Sequence, residues 1–218
     1  LLNVQSHLAP GEDGVPLGAM ASGIVERAGP GVETLKAGLR VAAFGRPYVY
    51  HGRYLRVPEG QVIELPKKVN HEEGAYAGQG AAAVHLARLA GTEMGSALAV
   101  FGAGMLGILT AQAARAAGAG VLLADHHEAR LSRARNVGVA LAAPLEGKAL
   151  VKEVDALTNG RGLDGAILTS DAADAASRLA PHLLRPGGRL VITAASAHLS
   201  AQTVVEKELE VRGALGAG

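Results

Sequence analysis

A glycine-rich motif near the middle of the chain constrains the fold more than any other feature. Gly102-Ala103-Gly104-Met105-Leu106-Gly107 follows the apolar run 97–101 and opens an Ala- and Leu-rich segment that stops at Gly118. A second apolar run, 121–124, then leads to Asp125. The order is strand, G-x-G-x-x-G turn, helix, strand and acid, with the acid near the expected offset of about 20 residues. This order predicts a dinucleotide-binding turn, with the whole motif and Asp125 as candidate cofactor contacts.

The three glycines of this turn are predicted to have different physical roles. Gly102 permits the tight turn, Gly104 lets the backbone approach a pyrophosphate, and Gly107 lets the helix pack closely on the strand. The helix that begins at Met105 offers free N–H groups and the positive end of its dipole to the phosphates. Asp125 is expected to accept hydrogen bonds from both hydroxyls of an adenosine ribose. The alternative is a glycine turn with a structural role only.

Alternation of apolar runs and helical segments continues to the end of the chain and predicts an α/β fold. Strands are predicted at 97–101, 121–124, 141–143, 166–169, 189–193 and 209–212, and helices at 105–117, 128–137, 150–157 and 173–184. Strands joined by crossover helices form a doubly wound parallel sheet, here a Rossmann sheet with the order 3-2-1-4-5-6.

The N-terminal third has short β-type runs with Gly and Pro between them. Strands are predicted at 23–27, 41–44, 54–57 and 62–65. At Asn70 the pattern changes to helix, with Glu73 three residues later in a capping-box arrangement. The sequence therefore predicts two domains, a partial β-rich domain at 1–69 and the Rossmann domain at 70–218.

Composition excludes several classes of function. The chain has 21 basic and 20 acidic residues without a charged block, so nucleic acid is not an expected partner. No apolar run reaches the roughly 18 residues of a membrane span, so no membrane partner is expected. No signal peptide is recognisable, and a cytoplasmic location is expected. The absence of cysteine excludes disulfides and thiolate zinc sites.

Several motifs between residues 16 and 218 resemble the medium-chain dehydrogenase/reductase superfamily, which includes alcohol and polyol dehydrogenases. Residues 16–26 resemble its first conserved block, 183–189 (LLRPGGR) its turn before the fifth strand, and 206–213 (EKELEVRG) the end of its sheet. The resemblance implies that the β-rich part is a GroES-like catalytic domain and that the α/β part binds a nicotinamide cofactor. Compared with the family pattern, the chain starts later and stops earlier.

The positions where this resemblance places zinc ligands hold other residues. Gly18-Ala19-Met20 stands in place of Gly-His-Glu, and Gly78 stands near the position of a further Cys or Glu ligand. The four-cysteine lobe that the family carries after Phe44 is missing. A catalytic zinc needs about three protein ligands, so no zinc or other metal is expected.

Asp125 also predicts which nicotinamide cofactor is preferred. A carboxylate at the end of the second strand would repel the 2′-phosphate of NADP, so NAD is the expected cofactor. His126 and His127 could weaken that preference when protonated. Arg130 falls where the family places a basic residue against the ribose, although it could equally be a solvated helix charge.

Other segments are predicted to contact the nicotinamide half of the cofactor and to carry out the proton transfer. Thr169-Ser170 and Thr193-Ala194 end the fourth and fifth strands, at the sheet edge where the nicotinamide is expected. Hydride transfer without zinc needs a side-chain acid or base to handle the proton on the substrate oxygen. Tyr50 and His51, in the aromatic-rich stretch 48–54, are the candidate catalytic residues.

The leading prediction is a zinc-independent oxidoreductase that transfers a hydride between NAD and a hydroxyl or carbonyl of a small polar, sugar-like substrate. One alternative is an NADPH-dependent quinone or enoyl reductase, which Asp125 disfavours. Another is a non-catalytic dinucleotide-binding pseudo-enzyme or sensor. A homodimer is expected through the sheet edge near 199–211, where 201–205 fits an edge that a second subunit could extend.

Overall fold

A computed structural model describes residues 17–145, 147–169, 173–193 and 197–215. The chain divides into two compact units, one ending at Gly78 and the other beginning at Gln79. The domain boundary predicted after residue 69 would assign the segment that begins at residue 70 to the second unit. In the structure, the short helix after residue 69 contacts the first two strands of the first unit, so it belongs there.

The first unit contains a small antiparallel sheet. Its strands are β1 (Met20–Ile24), β2 (Arg40–Phe44) and β3 (Val62–Glu64), in the order β1-β2-β3. A short helix, α1 (His71–Gly74), follows. The predicted capping box is confirmed, because Asn70 and Glu73 each accept a hydrogen bond from the other's backbone N–H. The predicted strand at 23–27 lies three residues earlier, as β1.

The strand predicted at 54–57 is wrong. Leu55 and Val57 are buried in the core of the first unit, but the segment pairs with no strand in the described part of the chain. Alternation of apolar and polar residues reports which side chains are buried. It does not report whether the backbone has a partner, and β2 is already paired on both edges.

The second unit is a six-stranded parallel sheet covered by helices. Its strands are β4 (Ala97–Phe101), β5 (Gly120–Asp125), β6 (Ala142–Pro144), β7 (Leu163–Leu168), β8 (Leu184–Ile192) and β9 (Glu210–Gly213). Its helices are α2 (Ala77–Leu89), which starts in the first unit, α3 (Met105–Ala116), α4 (Glu128–Asn136), α5 (Gly147–Thr158), α6 (Ala173–Leu183) and α7 (Ala201–Glu206). The order β6-β5-β4-β7-β8-β9 confirms the predicted doubly wound topology.

Burial on both faces explains why these strands form. Every residue of β4 is buried, and separate apolar clusters pack on the two faces of the sheet. Strands covered on both faces read as continuous apolar runs, which is the pattern at 97–101 and 121–124. Within the described ranges, no helix is both long and apolar enough to cross a membrane.

The predicted edge segment at 201–205 is a helix, α7, and that part of the prediction is wrong. Ser200 accepts a hydrogen bond from the backbone N–H of Thr203 at 3.3 Å, which caps the helix, and Thr203 is buried. The edge strand is β9, and all of its residues are exposed. Homodimer formation through this edge stays a prediction, and light scattering that gives the mass of a monomer would reject it.

Lys207 closes the C-terminal end of α6. Its ammonium donates hydrogen bonds to the carbonyl oxygens of Pro181 (3.3 Å), His182 (2.8 Å) and Leu184 (2.6 Å). Burial lowers the pKa of Lys207 below its ordinary value. The last carbonyls of a helix have no partner within the helix and lie at the negative end of its dipole, so a cation stabilises them.

We expect Lys207→Met to lower the free energy of unfolding by about 2 kcal/mol, because the carbonyls lose a charged donor. Urea denaturation measures the change. Lys152→Met, at an exposed position of α5, is the control for loss of a lysine charge on a helix. Equal effects of the two substitutions would show that the Lys207 ammonium adds no stability.

Candidate functional site

The glycine motif forms the connection between β4 and α3. Gly102 has a φ of +110°, a conformation that side chains other than glycine rarely adopt, and its N–H donates to the carbonyl of Ala124 at 2.7 Å. Gly104 is the N-cap residue of α3 and gives the helix no side-chain cap. The first N–H groups of α3 are therefore left for a ligand at the carboxyl edge of the sheet.

Gly104 and Gly107 have different surroundings. A Cβ atom added at Gly107 would overlap with the carbonyl oxygen of Gly102 and would lie 3.0 Å from Oγ1 of Thr169. A Cβ added at Gly104 would have no protein atom within 4 Å. Gly107 is thus required by the packing of α3 on the turn, whereas Gly104 leaves an open space in front of the helix.

Asp125 ties the glycine turn to the end of β5. Its side chain is 5% exposed. One carboxylate oxygen accepts from the N–H of Ala103 at 2.7 Å, and the other accepts from the N–H of His127 at 2.8 Å. Nη1 of Arg130 lies 3.6 Å from the first of these oxygens. The carboxylate is therefore fixed beside the turn by protein atoms alone.

The electrostatic surroundings keep Asp125 ionised. Burial raises the pKa of this carboxyl, but the N–H groups of His127 and Ala103 and the positive charge of Arg130 lower it by more. The pKa therefore lies below its ordinary value. Each carboxylate oxygen has a second lone pair, so the group can still accept hydrogen bonds from a ligand.

Two threonines end the neighbouring strands, as the sequence predicts. Thr169 donates through Oγ1 to the carbonyls of Phe101 (3.0 Å) and Gly102 (3.2 Å), so it joins β7 to the glycine turn. Thr193 donates to the carbonyl of Leu168 at 3.0 Å. Their hydroxyl protons are used within the sheet, and only acceptor capacity is left for a ligand. Ser170 and Ala194 lie outside the described residues.

Tyr50 and His51 belong to the first unit and have different environments. Tyr50 is half-buried and packs against the core of that unit. His51 is exposed, and its N–H donates to the carbonyl of Leu17 at 2.7 Å. Its ring lies against Gly18, which has a φ of +88°, and a Cβ added at Gly18 would overlap with that ring. Of the two candidates, His51 has the more exposed side chain.

The residues at the positions of the family's zinc ligands are not suited to bind a zinc ion. Gly18-Ala19-Met20 offers no nitrogen or oxygen ligand from its side chains. At Gly78, a Cβ would lie 2.5 Å from Cβ of Phe44, so the phenyl group fills the space of a longer side chain. Among the described residues, no cluster of three or more His, Cys, Asp or Glu side chains could hold a metal.

Some features of this site have no signal in the sequence. The backbone N–H groups of Ala103 and His127 hold Asp125, but main-chain donors look alike at every position. The contact of His51 with Gly18 joins distant parts of the first unit. Only the resemblance of Gly18 to a family position could have suggested that the two are related.

Comparisons with known proteins show the family of the chain. A family model described as zinc-binding dehydrogenase matches residues 106–218, just over half of the chain. A protein named probable D-xylulose reductase A, from Aspergillus terreus, is 30% identical over 245 residues, which cover 95% of this chain and 68% of that protein. The chain belongs to the medium-chain dehydrogenase family. The resemblance found in its sequence motifs is thereby confirmed.

Other dehydrogenases match over smaller shares of this chain. Sorbitol dehydrogenase of Bacillus subtilis is 26% identical over 74% of this chain and 47% of its own length. The crystal structure of 2R,3R-butanediol dehydrogenase from Bacillus subtilis has a TM-score of 0.75 at 26% identity, covering 89% of this chain and 63% of that one. Alcohol dehydrogenase TADH from Thermus sp. ATN1 has a TM-score of 0.81. The chain thus spans about two thirds or less of the length of several of these medium-chain dehydrogenases.

Proposed function

We propose that this chain belongs to a zinc-independent oxidoreductase that prefers NAD and acts on a hydroxyl or carbonyl group of a small, sugar-like alcohol. The observation that carries the proposal is the buried, ionised Asp125, held against the glycine turn by Ala103 and His127. This arrangement offers a carboxylate to a ribose and open N–H groups to a pyrophosphate. The cofactor, when bound, supplies or accepts the hydride.

Different residues of the candidate site would bind different parts of the cofactor. The N-terminus of α3 attracts the pyrophosphate, and the absence of a side chain at Gly104 lets it approach the backbone. Asp125 keeps lone pairs for the ribose hydroxyls and repels a 2′-phosphate. Arg130 reduces this repulsion only in part, because its guanidinium already faces the carboxylate. These charges favour NAD over NADP.

Zinc independence rests on the residues at the positions of the family's ligands. Ala19 and Met20 stand in place of His and Glu, and Phe44 occupies the space beside Gly78. A zinc ion would polarise the substrate oxygen, and this chain must stabilise that oxygen in another way. We therefore assign the proton transfer to a side chain.

His51 is the residue that we propose for this proton transfer. Its ring lies against Gly18, directly before the position where the family carries its histidine ligand. An imidazole exchanges protons near neutral pH and can act on a substrate hydroxyl or carbonyl oxygen. Tyr50 packs into the core instead, and we assign it a structural role.

The substrate class comes from the names of the relatives. D-xylulose reductase, sorbitol dehydrogenase and butanediol dehydrogenase are named after polyols or a ketose. We propose a compound of this class for the present chain, because the chain belongs to the same family as these enzymes. A polyol panel with NAD is the direct test of turnover.

Metal removal and cofactor titration together test the first part of the proposal. After dialysis against EDTA, the protein should contain no zinc, keep its melting temperature, and bind NAD at least tenfold more tightly than NADP in calorimetry. Tighter binding of NADP would favour a quinone or enoyl reductase. Loss of folding or of NAD binding on metal removal would contradict zinc independence, and NAD binding without turnover of any polyol would favour the non-catalytic sensor.

Turnover of a His51 variant tests the second part. We expect His51→Gln to lower kcat by at least about 100-fold, the typical loss of a general acid or base, with little change in NAD affinity. Tyr50→Phe is the matched control, because it removes the neighbouring hydroxyl and should change kcat by less than about threefold. Equal activity of His51→Gln and the unaltered protein would remove His51 from the mechanism.

A further inference from the structure

A polar cavity of about 300 Å³ lies at the amino edge of the parallel sheet, opposite to the glycine turn. Three arginines line it, Arg161, Arg185 and Arg189, together with the carboxylates of Glu93 and Asp164. The main chain around Gly91 and Gly187 completes the wall. Nothing in the proposed dehydrogenase function uses these residues.

Asp164 holds two of the arginines in place. One of its carboxylate oxygens accepts from Nε of Arg185 at 2.6 Å. The other accepts from the N–H of Ala97 at 2.8 Å and from Nη2 of Arg161 at 3.2 Å. The side chain of Asp164 is 14% exposed. This nearly buried acid therefore fixes two guanidinium groups at one point on the cavity wall before any ligand arrives.

Arg189 approaches the same cavity from β8. Its Nε donates to the carboxylate of Glu210 at 3.1 Å, which holds the side chain along the edge of the sheet. Its Nη1 lies over Gly91, where an added Cβ would overlap with the guanidinium. Gly91 has a φ of +74° and leaves the space that the arginine occupies. The third guanidinium is thus also positioned by protein contacts.

Two of the three arginines, Arg161 and Arg189, still have several hydrogen-bond donors to offer. No described residue accepts from Nε or Nη1 of Arg161, or from Nη1 or Nη2 of Arg189. Three guanidinium groups and two carboxylates line the cavity, and a further carboxylate, that of Glu210, pairs with Arg189. Such planar guanidinium donors match the oxygens of a phosphate in pairs.

We propose that this cavity binds a phosphate dianion, either free phosphate or the head group of a small phosphomonoester. The guanidinium groups of Arg161 and Arg189 donate to its oxygens, and Asp164 positions Arg161 and Arg185. A volume of about 300 Å³ accommodates the phosphate and leaves space for a small organic group. The site is separate from the glycine turn, since the two lie at opposite edges of the sheet.

Calorimetric titration of the full chain with sodium phosphate, and separately with glycerol 3-phosphate, tests the proposal at low chloride. We expect Arg161→Gln and Arg189→Gln each to weaken phosphate binding at least tenfold, with unchanged melting temperature. Arg133→Gln removes the same charge from an exposed position of α4 and should change the affinity by less than twofold. Tighter binding of glycerol 3-phosphate would identify a phosphomonoester as the ligand, and tighter binding of phosphate would identify the free ion.

Phosphate could also bind at the dinucleotide turn, so Gly104→Ala is titrated in parallel. Binding that Gly104→Ala retains and the arginine variants lose supports the proposal. Binding that only Gly104→Ala loses places the anion at the glycine turn and overturns the proposal. It is also overturned if the unaltered protein does not bind phosphate at millimolar concentration, or if no variant changes the affinity, because the anion would then be an adventitious ion only.

Discussion

Gly107→Ala should lower the free energy of unfolding by about 3 kcal/mol or more. The added methyl group would overlap with the carbonyl oxygen of Gly102 and would crowd Oγ1 of Thr169. Neither neighbour can move freely, because Gly102 is bonded to Ala124 and Thr169 joins β7 to the turn. Relief requires that α3 shift away from β4, at the centre of the sheet. Urea denaturation of the purified variant measures the loss.

Gly104→Ala is the matched control for this result. It adds the same methyl group three residues earlier, where no protein atom lies within 4 Å. We expect a loss of about 1 kcal/mol or less, since alanine is a poorer N-cap than glycine. NAD affinity should nevertheless fall at least tenfold, because the methyl group fills the approach to the backbone. Equal destabilisation by the two substitutions would contradict the assigned roles of these glycines.

The second large effect is expected for Asp125→Ala, which should lower the free energy of unfolding by roughly 3 kcal/mol. The N–H groups of Ala103 and His127 would both lose a charged acceptor, and unsatisfied buried donors cost about 1–3 kcal/mol each. The same substitution should reduce the preference for NAD over NADP, because the repulsion of the 2′-phosphate disappears. Denaturation and calorimetry measure the two effects separately.

Stability at acid pH provides an independent measurement of the same group. The pKa of Asp125 in the folded chain lies below its ordinary value near 3.8, so the unfolded chain takes up a proton first as the pH falls. The stability that the carboxylate contributes is complete above the ordinary pKa and disappears as the pH falls through the lower, folded pKa. The free energy of unfolding of Asp125→Ala should therefore fall less steeply below pH 4.

Asp155→Ala is the control for both measurements, because it removes an exposed acid from α5. It should change the stability by less than about 0.5 kcal/mol and leave the acid dependence as it is. If Asp125→Ala behaves in the same way, its carboxylate has no role in holding the glycine turn.

The sequence predicts the second unit well because its signals are local. Apolar runs of strand length, the glycine turn and the acid after β5 all lie within short stretches, and each has a direct physical meaning. The doubly wound arrangement of dinucleotide-binding domains then gives the order of the sheet without any information on contacts. The candidate cofactor site is predicted from the same signals, since Gly102 follows β4 and Asp125 ends the adjacent strand β5.

The sequence predicts the first unit less well because its structure depends on distant contacts. Leu55 and Val57 alternate with polar residues as a strand does, yet they pack into the core from a loop. The position of the His51 ring depends on Gly18. No pattern in the chain indicates which loop residue will meet which glycine.

The double attachment of Asp125 has a consequence for redesign. In many dinucleotide sites an engineer can exchange the acid at the end of the second strand and so invert the cofactor preference. Here the same carboxylate accepts hydrogen bonds from Ala103 and His127, so its replacement would also loosen the loop that we propose to bind the pyrophosphate. The proposed cofactor selectivity and the rigidity of the turn would thus depend on one side chain. To obtain an NADP-dependent form of this protein, it is better to substitute His126 and Arg130 and to leave Asp125 unchanged.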